Sequence, residues 1–156
     1  MITMNRILIV DDHALFRGAL RECLSQEPDF QIAGEAGNLR EAIRSIAVLS
    51  PHLVLTDLAM PDANGIEAVT EIKRHYPEVK ILVISFHREN EYKHQCRKAG
   101  AAGYIVKDAI RDQLCDAIRA VLGGMTYLGA DAADDIVSDH VLGSAATNAD
   151  RSYLLH

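Results

Sequence analysis

Apolar residues follow two alternating rhythms along the chain. The first is continuous. Ile7-Leu8-Ile9-Val10, Leu53-Val54-Leu55 and Ile81-Leu82-Val83-Ile84 are unbroken apolar runs with polar residues on either side. Such runs suit strands covered on both faces, as in a parallel sheet, rather than strands with one wet face. Phe30-Gln31-Ile32-Ala33-Gly34 and Gly103-Tyr104-Ile105-Val106-Lys107 read as two further short strands. The second rhythm has helical spacing. It covers Leu15, Phe16, Ala19, Leu20, Cys23 and Leu24; Ala42, Ile43, Ile46 and Ala47; Ile66, Val69 and Ile72; and Leu114, Cys115, Ile118, Val121 and Leu122. Arg88 to Ala99 reads as a polar helix with Tyr92, Cys96 and Ala99 as its core contacts.

Punctuation agrees with this division. Asn38-Leu39-Arg40-Glu41 has the form of a capping box with Asn in place of Ser or Thr. Ser50-Pro51 stops the second helix, because the residue before proline avoids the α region. Pro61-Asp62-Ala63-Asn64-Gly65 is a dense turn signal. The third helix ends before Tyr76-Pro77, Gly100 reads as a helix stop, and Gly123-Gly124 closes the last helix. Five strand–helix repeats with short connections predict an α/β fold with a doubly wound parallel sheet and right-handed crossovers. The repeats place one domain at 1–124. Residues 125–156 break the rhythm and read as a linker or tail, with a short helix at 131–139. The small, polar run from Gly143 to Ala149 is expected to be disordered.

Composition narrows the function classes. The chain has 156 residues, is 49% hydrophobic and carries a formal net charge of −6. An acidic balance without a basic stripe argues against nucleic-acid binding by this chain. Cys23, Cys96 and Cys115 form no C-x-x-C pair and fall in predicted helices, which reads as reduced thiols acting as small apolar residues. No apolar run approaches the ~18 residues of a membrane span, and no signal-peptide core precedes the first acids. The expectation is a cytoplasmic protein.

The candidate chemistry lies where the strands end. The first ends in Asp11-Asp12, the third in Asp57, the fourth in Ser85 and the fifth in Lys107. Open parallel sheets bind ligands outside the carboxyl ends of their strands, at the point where strand order reverses. With the flavodoxin-like (βα)5 order 2-1-3-4-5, strands one and three are neighbours there, so Asp11, Asp12 and Asp57 converge beside Ser85 and Lys107. A lone acid at a strand end is most often a solvated turn residue, and Asp11-Asp12 also suit a helix N-terminus. It is the coincidence of all five that points to a site. Three carboxylates repel, one lysine cannot offset them, and a hard divalent cation such as Mg²⁺ can. A cation, an ammonium and a hydroxyl around a carboxylate suit an acyl phosphate on Asp57, with Asp57 as nucleophile. The seven histidines show no metal-ligand spacing and read as surface or cap residues, with His87 the one to watch.

These residues resemble the receiver domain of two-component response regulators. The resemblance rests on Val10-Asp11-Asp12, Thr56-Asp57-Leu58-Ala59-Met60-Pro61 with Gly65, Val83-Ile84-Ser85 and Gly103-Tyr104-Ile105-Val106-Lys107. Asp12-His13-Ala14-Leu15-Phe16-Arg17 and the Lys107-Asp108 pair further resemble the NarL/FixJ-type branch. The resemblance implies that Asp57 accepts phosphate from a sensor histidine kinase or phosphotransfer protein. It implies that Asp12, Asp57 and the Ala59 backbone carbonyl bind Mg²⁺, with Asp11 acting through water. Ser85 and Lys107 would contact the phosphoryl group, and Tyr104 would change rotamer with Ser85. Ala59 and His87 stand at positions that tune dephosphorylation. The switching face would be helix four, strand five and helix five, used for partner binding or a homodimer. The chain is then a phosphoacceptor switch, not an enzyme beyond its own phosphotransfer and autodephosphorylation.

Such regulators usually carry a helix-turn-helix domain. Here the stretch after Gly124 is short and holds Arg151 against Asp131, Asp134, Asp135, Asp139 and Asp150, so it does not read as one. The alternative is a fragment of a DNA-binding transcriptional regulator. A phosphatase of the haloacid dehalogenase type is discounted because Ala59 stands where that chemistry needs a second acid. A flavin-type cofactor binder is discounted because Asp11-Asp12-His13 would repel a phosphate without a metal.

Overall fold

The computed structural model describes residues 4–129 and 136–138. In chain order the strands and helices begin with β1 (Asn5–Val10), α1 (Ala14–Ser25), β2 (Phe30–Ala36), α2 (Leu39–Leu49) and β3 (Leu53–Asp57). A two-residue pair, β4 (Ala59–Met60) and β5 (Ala63–Asn64), then leads into α3 (Gly65–His75). The second half runs β6 (Lys80–Ser85), α4 (Asn90–Ala99), β7 (Gly103–Val106), α5 (Ile110–Leu122), β8 (Met125–Tyr127) and β9 (Ile136–Ser138).

The main sheet has the order β2-β1-β3-β6-β7-β8-β9. Its first five strands are parallel, in the expected order 2-1-3-4-5. The continuous apolar runs are explained by double coverage. Successive residues of a strand point to opposite faces, so Ile7, Ile9, Leu53, Leu55, Leu82, Ile84 and Ile105 pack with Leu20 and Leu24 of α1 and Leu114, Ile118 and Val121 of α5. The alternate set, Leu8, Val10, Val54, Ile81, Val83 and Tyr104, packs with Ala42 and Ile46 of α2, Val69 and Ile72 of α3, and Cys96 of α4. All five residues of β3 are buried.

The caps follow the sequence signals with informative changes. Asn38 Oδ1 accepts the Glu41 N–H at 2.8 Å, as a capping box requires. The reciprocal bond goes to Gly37 N–H, which donates to Glu41 Oε2 at 2.8 Å. Asp62, at the turn between β4 and β5, accepts the Leu39 and Arg40 N–H groups at 2.9 and 3.1 Å. The start of α2 is thereby tied to the loop that follows Asp57. Ser50 ends α2 in the left-handed region (φ 47°), outside the right-handed helix though not in the extended backbone that usually precedes proline, and Arg6 donates to its carbonyl.

Three expectations need correction. Leu15 is 92% exposed and Ala19 also faces solvent, so neither belongs to the α1 core stripe. Leu15 lies five positions before Leu20, about 140° round a helix of 3.6 residues per turn. The packed unit also continues past Gly124. Thr126 and Tyr127 are buried, Tyr127 N–H donates to Ala102 C=O at 2.9 Å, and β8 adds a strand beside β7. Finally, Ile136–Ser138 pairs antiparallel with β8 (Thr126 opposite Val137) where the helix at 131–139 was expected. The β-branched pair Ile136-Val137 favours extended backbone. The remainder of that helix and the run 143–149 lie outside the described residues.

The two-residue pair β4–β5 is held against Leu58 by Gly65. A Cβ at Gly65 would lie 2.6 Å from Leu58 Cα and 2.7 Å from its carbonyl oxygen, both backbone atoms. Gly65→Ala is therefore expected to lower stability by about 1–3 kcal/mol. A Cβ at Gly124 meets no atom within 4 Å, so Gly124→Ala bears only the strain of φ +91°, about 1–2 kcal/mol. Urea denaturation of both variants, read alongside limited proteolysis of the segment 58–65, checks that only the Gly65 change disturbs the loop.

Candidate functional site

The five residues singled out at strand ends meet at the carboxyl edge of the sheet. Asp11 follows β1 directly, Asp57 is the last residue of β3, Ser85 is the last of β6, and Lys107 opens the short 3-10 turn after β7. Strand pairing sets their depth. Val10 lies opposite Thr56, and Asp57 lies opposite Ile84, so each polar residue follows the last apolar layer of its own strand.

The centre is a buried ion cluster. The Lys107 ammonium lies 3.2 Å from Asp57 Oδ2 and 3.3 Å from Asp11 Oδ2. All three side chains are buried, with Lys107 only 5% exposed. Two aromatic rings flank the ammonium, Phe16 at 4.3 Å and the exposed Phe86 at 5.0 Å, each presenting a π-face to the charge. Asp57 Oδ1 accepts a long bond from the Ala59 N–H at 3.4 Å. Burial raises the Asp57 carboxyl above the usual carboxylate range. The Lys107 charge opposes that rise, the Asp11 charge adds to it, and the Ala59 N–H opposes it.

Asp12 lies on the more open rim. Single ligand atoms of Asp11, Asp12, His13 and Asp57 all fall within 4.8 Å of one another. Three carboxylates against the one ammonium leave two negative charges uncompensated, which one divalent cation would neutralise. Oxygen donors of this kind suit Mg²⁺. The donor set thus fits the ion that the sequence implied.

Ser85 and Tyr104 meet at His87. Ser85 Oγ accepts the His87 N–H at 3.0 Å, and the Tyr104 hydroxyl donates to the His87 carbonyl at 2.8 Å. Burial pushes the Tyr104 phenol up to about 12, so it remains a donor at all ordinary pH. The His87 imidazole turns toward α4 instead. Its ring stacks on Tyr92 with centroids 4.5 Å apart and lies 3.6 Å from Glu89. Its backbone is therefore the part that touches the Ser85–Tyr104 pair.

Sequence reasoning passed over four contributors. His13 was grouped with surface histidines, yet its Nδ1 lies 3.1 Å from Asp12 Oδ1 and 3.2 Å from Asp11 Oδ1. Its adjacency to Asp12 was the available signal. Arg17 donates to the Asp11 carbonyl and, at 3.2 Å, to Glu35, which anchors the turn bearing the first two acids. Phe16 and Phe86 gave no chemical signal, because cation–π contact depends on tertiary placement. A separate cleft between Ile46, Pro51, Tyr76, Val79 and Leu122 opens at the opposite edge of the sheet, away from these groups. Among the described residues no helix is long and apolar enough to cross a membrane.

Comparison with known proteins agrees with this geometry. Residues 7–119 match the response regulator receiver domain family. The chain is 33% identical over 138 residues to the response regulator UvrY of Escherichia coli (strain K12), covering 88% of this chain and 63% of UvrY. It is 32% identical over 135 residues to the transcriptional regulatory protein DegU of Brevibacillus brevis, covering 86% of this chain and 57% of DegU. The chain thus spans under two thirds of the length of either relative. Among solved structures, a LuxR-family two-component response regulator from Aurantimonas sp. SI85-9A1 superposes with a TM-score of 0.80 at 31% identity, over 85% of this chain and 95% of that one. The signal receiver domain of the putative response regulator NarL from Mycobacterium tuberculosis gives 0.72 at 30% identity, over 78% and 98%. With the family matched along most of the chain and the acidic cluster of Asp11, Asp12 and Asp57 at its sheet edge, the chain belongs to the response regulator receiver domains and is related to the NarL/LuxR-type regulators.

Proposed function

We propose that Asp57 is the phosphoacceptor and that a sensor histidine kinase or phosphotransfer protein is its donor. The observation that carries this reading is the buried Asp57 carboxylate sharing the Lys107 ammonium with Asp11. A carboxylate oxygen of Asp57 attacks the phosphorus, the bond from phosphorus to the donor nitrogen breaks, and the donor imidazole takes up a proton. Asp12, Asp57 and the Ala59 carbonyl would hold Mg²⁺, with Asp11 reaching it through water. The bound cation supplies charge neutralisation for the transferring group. Lys107 is already within bonding distance of Asp57 and stays with the phosphoryl oxygens as a point charge. Ser85 Oγ accepts from His87 N–H, which leaves its own hydrogen to donate to the phosphoryl group.

Drawing Ser85 toward the phosphate perturbs the His87 backbone, and through it the Tyr104 hydroxyl bond. We read this as the switch. Its output surface is α4, β7 and α5, used for partner binding or a homodimer. Cys96 is the sole buried residue of α4, so that helix is the weakly anchored element of the face. Ala59 and the His87 segment tune the lifetime of the phosphate. We place this switch in the cytoplasm, as a phosphoacceptor without other catalytic activity, in a receiver unit that includes β8. A transcriptional output is a second reading, favoured by the 32% identity to the transcriptional regulatory protein DegU. It would require DNA-binding residues beyond this chain.

Incubation with acetyl phosphate and Mg²⁺, followed by intact mass, should give one phosphate per chain. Asp57→Ala or chelation of the metal should abolish it; an adduct surviving in Asp57→Ala would overturn the assignment. Lys107→Met should slow incorporation about 10²-fold, the scale of losing one preorganised electrostatic contact. A third expectation concerns stability. Because burial raises the Asp57 carboxyl, the folded state holds that proton more tightly than the unfolded chain. The associated stability is present below the unfolded value and is lost as pH rises through the folded one. Asp57→Asn should therefore be more stable than the parent at pH 7 in metal-free buffer. The gap should shrink toward pH ~4, where the unfolded carboxyl titrates, as read by urea denaturation.

A further inference from the structure

We propose that His13 is a direct ligand of the metal site and biases it toward nitrogen-accepting first-row divalent ions over Mg²⁺. The inference rests on the metal-dependent reading of Asp12 and Asp57 and adds a residue to it. His13 Nδ1 lies 3.1 Å from Asp12 Oδ1 and 3.2 Å from Asp11 Oδ1. Ligand atoms bound at ~2.1–2.2 Å to one octahedral ion are separated by about 3 Å along a shared edge. The His13–Asp12 separation has that length, while Asp11, which reaches the ion through water, stays outside its direct ligands. A cation held by both the Asp12 oxygen and the His13 nitrogen would therefore not need to move these donors apart.

Two further observations free the ring for this role. His13 occupies the N-cap position of α1 in an extended conformation, yet its side chain makes no capping bond. Its place in the chain is fixed instead by its backbone N–H, which donates to Asp11 Oδ1 at 2.8 Å. The imidazole is 69% exposed, so it stands at the solvent mouth of the cluster, on the path by which a hydrated ion enters. On coordination the ring would carry its hydrogen on Nε2 and offer the Nδ1 lone pair.

Chemistry then sets the preference. Mg²⁺ takes oxygen ligands and keeps its waters, so it gains little from an imidazole. Imidazole suits Ni²⁺, Zn²⁺, Fe and Cu, whose affinities follow the Irving–Williams order. Asp12 and Asp57 would serve both classes of ion, while His13 would serve the second alone. The site would answer to the supply of a transition ion as well as to Mg²⁺.

The test is calorimetric titration of the full chain with Mg²⁺ and with Ni²⁺, comparing the parent with His13→Ser, a change that keeps a good N-cap residue. The expected result is a loss of about tenfold or more in Ni²⁺ affinity in the variant, with Mg²⁺ affinity within about twofold. With Mn²⁺ bound, electron spin-echo modulation should show a directly coordinated ¹⁴N in the parent and none in His13→Ser. Unchanged Ni²⁺ affinity in His13→Ser, as when other histidines capture the ion, would overturn the proposal, as would absence of ¹⁴N coupling in the parent. Failure of the parent to bind Mg²⁺, or Mg²⁺ binding that survives Asp57→Ala unchanged, would sink the underlying metal reading instead. Far-UV circular dichroism of His13→Ser establishes that the variant is folded.

Discussion

The Lys107 ammonium shared between two buried carboxylates is the constraint on which the site depends. Lys107 lies within 3.3 Å of both Asp11 and Asp57, and each partner comes from a different strand end. Magnitudes explain why the arrangement is poised rather than settled. Each attraction is on the order of 4 kcal/mol at an effective dielectric near 20, while taking a charge from water costs several kcal/mol. The terms are similar in size, and one ammonium serves two acids. For Asp57 the desolvation cost wins, which is why its carboxyl is raised despite a lysine at 3.2 Å. A site in that condition gains more from an added cation than a fully compensated ion pair would.

The parallel sheet is what makes such a cluster affordable. β1, β3 and β6 are covered on both faces, so their apolar residues fix the strands firmly. The polar residues then project from the ends of rigid elements, not from mobile loops. Arg17 bonds the Asp11 carbonyl, and Asp62 bonds the first N–H groups of α2. These contacts hold the two turns that carry Asp12 and Ala59. The geometry of the acids therefore comes from the apolar core at one remove.

Most of this was legible in the sequence because it rests on local signals. Continuous apolar runs marked the parallel strands, and the abrupt change to Asp11, Asp57, Ser85 and Lys107 marked their ends. The Asn38 cap and the Ser50-Pro51 stop were equally local, and both stand in the structure. What could not be read depends on distant partners. Leu15 matched the spacing of α1 but faces water, because the sheet lies against Leu20 and Leu24. β8 is only three residues, too short for a period, and is a strand because Tyr127 bonds the Ala102 carbonyl and packs into the core. The Ile136–Ser138 strand likewise forms only because β8 offers it an edge. The aromatic flanks of Lys107 and the inward lean of His13 toward the acids belong to the same class.

In the proposed switch, coupling out of the site would converge on one backbone segment. His87 gives its N–H to Ser85 and its carbonyl to Tyr104, so the peptide groups on either side of one residue link the site to the helix face. Each such bond is worth about 0.5–1.5 kcal/mol net. Breaking or reforming both shifts an equilibrium by roughly the 1–3 kcal/mol typical of coupling between sites. That is small beside the strength of the sheet but large beside the anchoring of α4, whose one buried side chain is Cys96. On the proposed switch this imbalance would direct the response: a perturbation at Ser85 would deform the segment leading to α4 before β6 or β7. The His87 ring on Tyr92 extends the same path, since Tyr92 is itself part of α4. In the proposed switch, a rigid sheet on one side and a loosely held helix on the other would turn a local charge change into a movement of one surface.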